Sequence, residues 1–181
     1  SKNNLTYLHN VYHENMKKYF NFGKYIIAVN MIGTDFQDRN NGSDQDSDSG
    51  YATNQADIVE HARKCYIKYP TIVNNIPKDS NKYDNTMDDY AKIDNNLAGS
   101  QRDIGESSNI AQIAQTYACN FKDQKYIDYV CILSVLAQAA IDSAKRRFDI
   151  DIADEIRRIK NDMDISEHKY PSFWRLIRPD T

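Results

Sequence analysis

The sequence predicts an α+β fold that is predominantly α-helical, with a short strand or partial β-barrel element next to an acidic loop. Three observations carry this. Apolar residues recur at helical spacing in several segments, most strongly over 126–147. One short run, residues 24–32, is apolar and rich in β-branched side chains. Residues 33–50 between them and the next helix are polar and rich in Gly and Asp.

Taken in order, Leu5, Leu8, Val11, Tyr12, Met16, Tyr19 and Phe20 have a period close to helical, and Gly23 ends that segment. Residues 24–32 read as a strand. Asn54 is placed to cap a helix that runs to about Tyr69, where Pro70 stops it. Ile72 and Val73 read as a short extended piece. Residues 78–96 read as a polar surface segment with a weak helix near Met87–Ile93. Gly99, Ser100 and Gly105 punctuate the chain there, and Ser107 or Ser108 can cap a helix through Ala118. In the strongest helix, Tyr129, Ile132, Leu133, Leu136, Ala140 and Ile141 share one stripe, with Ala137 and Ala139 flattening its flanks. A further helix covers 151–161, and an aromatic tail, Tyr170 to Trp174, reads as an anchor. No repeat or linker divides the chain, so residues 1–181 read as a single domain.

The chain has 181 residues, 40% apolar and 27% charged, the balance of a globular protein with a core. The net charge of -3 excludes a basic footprint for nucleic acid over the whole chain. No apolar run reaches 18 residues, so no membrane span is expected. The start lacks Met and an apolar leader, the pattern expected of a piece of a larger, non-secreted protein. Cys65, Cys119 and Cys131 are odd in number and widely spaced. They read as buried, reduced thiols of a cytoplasmic protein.

The chemically pointed segment is Asn41-Gly42-Ser43-Asp44-Gln45-Asp46-Ser47-Asp48-Ser49-Gly50. Alternate residues of an extended chain point the same way, so Asp44, Asp46 and Asp48 converge. Two carboxylates about 6 Å apart repel by roughly 0.7 kcal/mol in water and about 2.8 kcal/mol at an effective dielectric near 20. Arg39 is the nearby cation, and a partly enclosed site calls for a bound one. Oxygen-only ligands favour Mg²⁺, Mn²⁺ or Ca²⁺. Three readings stand side by side: a solvated acidic loop, a structural calcium loop in a non-enzymatic helical domain, and an open Mg²⁺ platform for phosphoryl transfer. An EF-hand fits poorly, because its sixth and twelfth positions fall on Ser49 and Gln55.

The same segment resembles the D-x-D-G-D metal loop of the two-barrel RNA polymerases: the largest subunit of the cellular enzyme and the related single-chain silencing and phage enzymes. Residues 54–77, with Asn74-Asn75-Ile76, look like the helix and stretch that follow that loop. Ser100-Gln101-Arg102-Asp103-Ile104-Gly105, residues 135–145 and Tyr170-Pro171-Ser172-Phe173 are similar to later segments in the same order. The resemblance spans residues 41–174.

It implies that Asp44, Asp46 and Asp48 are the catalytic Mg²⁺ ligands, with Mn²⁺ able to substitute, and that Lys145 matches a family lysine placed to contact nucleic acid. The implied activity is nucleotidyl transfer in transcription of a nucleic acid template from nucleoside triphosphates. The implied partners include the missing polymerase domains, so this C-terminal catalytic-loop fragment is expected to be inactive alone. Ser47 stands where the family has Gly, which alters what the loop backbone can adopt.

Other polar residues have plainer readings. His9 and His13 share a helix face and read as surface or packing histidines. His61 reads as a helix-surface residue after the acidic loop, within possible reach of substrate. Lys145, Arg146 and Arg147 suit a helix C-terminus. Arg157, Arg158, Lys160, Arg175 and Arg178 give the C-terminal part positive charge, read as solvated or as facing a phosphate backbone.

Overall fold

The structure, a computed structural model of the chain, describes residues 6–8, 14–40, 42–44, 48–165 and 176. Helix predominates, as the periodicity predicts. The chain divides into two compact units, Ser1–Ile72 and Val73–Thr181.

The first unit contains α1 (Glu14–Tyr19), α2 (Phe36–Arg39) and α3 (Ala56–Lys68). The predicted first helix survives over one short segment. Residues 6–8 are not helical, while 1–5 and 9–13, with His9 and His13, lie outside the described residues. The predicted strand over 24–32 does not form. Lys24 and Tyr25 make a turn in which the Ile26 amide donates to the Gly23 carbonyl at 3.1 Å. Tyr25, Ile26, Ile27 and Ile32 are all exposed. A strand requires a partner for its backbone groups and a face to bury. Among the described residues this run pairs with no neighbouring strand, most of its side chains are exposed, and no barrel element is formed.

α3 matches its predicted bounds closely. The Thr53 hydroxyl accepts from the Gln55 amide at 3.1 Å just before the helix. Tyr69, at φ -119° and ψ 133°, has the extended backbone imposed on a residue before proline. Ala62 is its buried position.

The second unit is a helical bundle of α4 (Met87–Phe121), α5 (Gln124–Asp142) and α6 (Ile152–Asp162). α4 replaces the predicted sequence of weak helix, breaks and second helix with 35 continuous residues. Its start is well capped. The Thr86 hydroxyl accepts from the Asp89 amide at 3.3 Å, and Asp89 in return accepts from the Asp84 amide at 2.7 Å.

Ser100 and Ser107, read above as punctuation and cap, are instead buried positions of this helix, and Ser107 is fully so. With Ala114 they recur every seven residues along the buried face of α4, and Ala139 and Ala140 of α5, which packs along α4, are also buried. Small residues there let the two backbones approach closely. Each serine hydroxyl is satisfied within its own helix: Ser100 by the Leu97 carbonyl at 2.8 Å and Ser107 by the Ile104 carbonyl at 3.1 Å.

The glycines play no such part, since a Cβ on Gly99 or Gly105 meets no atom within 4 Å. Gly105→Ala is therefore expected to stabilise the bundle by about 0.5–1 kcal/mol, by removing a glycine from a helix interior. A thermal melt checks this, and a lowered melting temperature would contradict the open space seen at that position.

Lys122 closes α4 in the left-handed region (φ 54°), and the Asp123 carboxylate caps α5 by accepting from the Lys125 amide at 2.9 Å. This short connection folds α5 back along α4. Asp151 caps α6 in the same way through the Asp154 amide at 3.0 Å. The core between the three helices holds Ile110, Ile113, Leu133, Leu136, Ile156 and Ile159, with Met163 just beyond α6. At one end Tyr117 meets Phe121 and Tyr126 edge to face, at 5.6 and 5.4 Å between ring centres. The predicted α5 stripe is rotated by part of a turn: Val130 is buried, whereas Ile132 and Ile141 are exposed.

Lys78 pairs with Phe148 in an antiparallel bridge that holds the chain before α4 to the segment after α5. The Asp79 carboxylate meets Arg147 at 3.2 Å beside it. None of the three cysteines is in a disulfide. Cys65 and Cys131 are half-buried, but Cys119 is exposed, against the expectation of burial, because it lies on the α4 face away from the core.

Candidate functional site

The acidic loop follows directly from α2. That helix closes on Asn40, and the Gly42 amide then donates to the Gln37 carbonyl at 2.8 Å. Gly42 takes φ +73°, a left-handed conformation in which glycine avoids the Cβ clash of other residues. The turn delivers Ser43 and Asp44 into the loop. Asp44 and Asp48 are both exposed, and the Asp48 carboxylate accepts from the Asp44 backbone amide at 3.1 Å. The Asp48 side chain is thus tied to the Asp44 backbone across the loop. Asp46, the middle residue, lies outside the described residues, with Gln45 and Ser47.

The donor chemistry here is entirely carboxylate and suits a hard divalent cation. Among the described residues, no three His, Cys, Asp or Glu side chains gather into a metal-binding group, a search that does not include Asp46. The Asp48 oxygen that accepts the Asp44 amide retains a second lone pair, so the hydrogen bond is compatible with ligation.

Arg39, the cation closest in sequence, is engaged elsewhere. Its Nε donates to Asp35 at 2.7 Å, and an Nη donates to the Tyr69 carbonyl at 3.4 Å. Its guanidinium stacks 4.0 Å from the centre of the Tyr66 ring. Thr71 donates a short hydrogen bond to the same Asp35 oxygen. Arg39 is buried, and these contacts join α2 to α3 and to the residues after it.

The Thr71 hydroxyl, and then the Arg39 guanidinium, hold the Asp35 carboxyl below its ordinary value against the opposing effect of burial. A folded value below the unfolded one means that the stabilisation is complete above the ordinary carboxylate range. It is lost as pH falls through the folded value. The first unit is expected to loosen in acid, and Asp35→Asn should remove that part of the dependence. NMR of the Tyr66 ring across an acid titration reads this directly.

Lys145 does not end α5 as expected. The helix stops at Asp142, and Lys145 lies in the turn beyond it, exposed, with its amide donating to the Asp142 carbonyl at 2.9 Å. Its neighbours are tied down, Arg146 to Asp142 at 2.6 Å and Arg147 to Asp79. On α6, Arg157 pairs with Asp154, Arg158 with Glu155 at 2.6 Å and Lys160 with Glu106 at 2.8 Å. Those three cations are answered by carboxylates of the same unit and make no open basic strip. Arg175 and Arg178 lie outside the described residues.

Two features were not assigned from sequence. Asp103, on α4, has a buried carboxylate oxygen with no hydrogen-bond partner. Burial pushes its pKa up; Arg102 at 3.8 Å opposes this, and Glu106 and Asp151 reinforce it. On α3, the His61 Nε2 lies 3.5 Å from the Cys65 Sγ. The four-residue spacing signals a shared helix face, but the distance itself is visible only in the structure.

The chain matches no protein-family model, no curated protein and no solved structure. No helix among the described residues is long and apolar enough to cross a membrane.

Proposed function

We infer that this chain carries the metal-holding loop of a two-barrel RNA polymerase and acts in nucleotidyl transfer together with that enzyme's other domains. The observation that carries the reading is the D-x-D-x-D spacing joined to the closure of Asp48 onto the Asp44 amide at 3.1 Å. This closure ties the Asp48 side chain to the backbone of Asp44, two of the three residues that the resemblance assigns to the metal. Their exposure leaves room for substrate, as a catalytic platform requires and a closed structural site does not.

In this reading Asp44, Asp46 and Asp48 are the catalytic ligands of Mg²⁺ or Mn²⁺. When bound, the ion supplies activation of the 3′ hydroxyl of the growing strand and neutralises charge on the α-phosphate of the incoming nucleoside triphosphate. The chain's own contribution is to orient three carboxylates from a loop anchored at Gly42. Lys145, exposed in the turn after α5, contributes a nucleic-acid contact. The setting is cytoplasmic, and the template is a nucleic acid held by the full enzyme.

The test is replacement of Asp46 in the full-length polymerase, with Mn²⁺ binding to this chain measured alongside. Loss of both supports the reading. Loss of neither sinks it. Selective Ca²⁺ binding that raises the melting temperature without any effect on synthesis would favour the structural calcium loop instead.

A further inference from the structure

We propose that His61 and Cys65 form a two-ligand site for a borderline-soft divalent transition ion of the Zn²⁺ class on the outer face of α3. The argument is geometric. Ligands four residues apart on a helix stand one turn apart on the same face. Zn²⁺ binds thiolate sulfur at about 2.3 Å and imidazole nitrogen at about 2.0–2.1 Å, and at a tetrahedral angle those bonds place the two donors about 3.5 Å apart. The His61 Nε2 and Cys65 Sγ are already separated by 3.5 Å. The pair, in hydrogen-bonding contact as it stands, therefore has the donor–donor separation of one edge of a tetrahedral site.

Both residues can be reached from solvent, since His61 is exposed and Cys65 half-buried. No third His, Cys, Asp or Glu joins them among the described residues. Among the described residues, two of the four positions are thus left for water or an incoming ligand, the arrangement of an open site. The donor set also separates this site from the acidic loop. Sulfur and imidazole select Zn²⁺, Co²⁺ and related ions, whereas the carboxylates of Asp44 and Asp48 select Mg²⁺ and Mn²⁺. Binding exchanges the Cys65 S–H bond for a sulfur–metal bond and releases the proton to solvent, with His61 coordinating in its neutral form, so affinity rises with pH.

The test is a Co²⁺ titration of the reduced chain, read by thiolate-to-cobalt charge-transfer absorption, with circular dichroism confirming that each variant keeps its helices. The expected result is one saturable equivalent of Co²⁺, at least about tenfold weaker in His61→Ala and with the charge-transfer band lost in Cys65→Ser. Cys119→Ser, at the exposed cysteine on α4, and Asp44→Asn should both retain it. Absence of the band, its survival at full affinity in His61→Ala, or its loss in Cys119→Ser would each overturn the assignment. Failure here leaves the polymerase reading untouched, because Asp44 and Asp48 carry no thiolate signal.

Discussion

If the proposed polymerase reading holds, Asp46→Asn in the full-length protein is expected to lower RNA synthesis by at least about 100-fold while leaving the fold of this chain intact. The size follows from what a metal ligand contributes. An ion that stabilises transition-state charge is worth several kcal/mol, and each 1.4 kcal/mol is about tenfold in rate. The fold should survive, because the described contacts that join α2 to α3 and the residues after it run through Asp35, Arg39, Tyr66 and Thr71. Removing one negative charge from three also relieves repulsion in the metal-free loop. Lost synthesis with an unchanged or slightly raised melting temperature is thus the signature of a catalytic platform. Lost synthesis with an unfolded first unit would mean that Asp46 is structural.

The second large effect is expected in the bundle. Leu133 is fully buried between the three helices, and Leu133→Ala should cost about 3 kcal/mol, lowering the main thermal transition by roughly 10–20 °C. Ile132, one position earlier on the same helix, is 39% exposed, and Ile132→Ala should cost under about 1 kcal/mol. The contrast between adjacent residues tests which face of α5 is turned inward. Equal losses at both positions would show that the helix is rotated from the position described.

That contrast also shows where sequence reasoning reached and where it stopped. α3, α5 and α6 were legible because each combines a strong apolar period with a clear boundary, such as Pro70 after α3 or the Asp151 cap before α6. α4 was misread because Gly99, Ser100, Gly105 and Ser107 look like breaks in isolation. Tertiary packing overrides that local preference: the serines are buried positions of the packed helix, and the glycines are tolerated in open space. The strand over 24–32 failed for the converse reason, since a β-branched run states a preference but supplies no partner.

At the candidate site, the spacing of the aspartates could be read directly; the approach of His61 to Cys65 went unread, because a shared helix face does not fix a side-chain distance. The engagement of Arg39 could not be read either, because its partners Tyr69 and Tyr66 lie far along the chain, and nothing local says that they return to it.

The length of α4 has a mechanical consequence. Its 35 residues span about 52 Å, whereas the 19 residues of α5 span about 28 Å. Residues 90–98 are exposed without interruption, and burial begins at Ser100. Unzipping from Thr86 first breaks the cap, then gives up hydrogen bonds one turn at a time with little packing lost, and the glycine at position 99 eases the last step. From Ser100 the cost rises, as Ser100, then Ser107, then the core residues from Ile110 onward must leave their buried positions. The helix is thus a rod with a built-in stop. Its first three turns exchange their amide hydrogens on the local scale of a fraying end, and the rest only when the bundle itself opens.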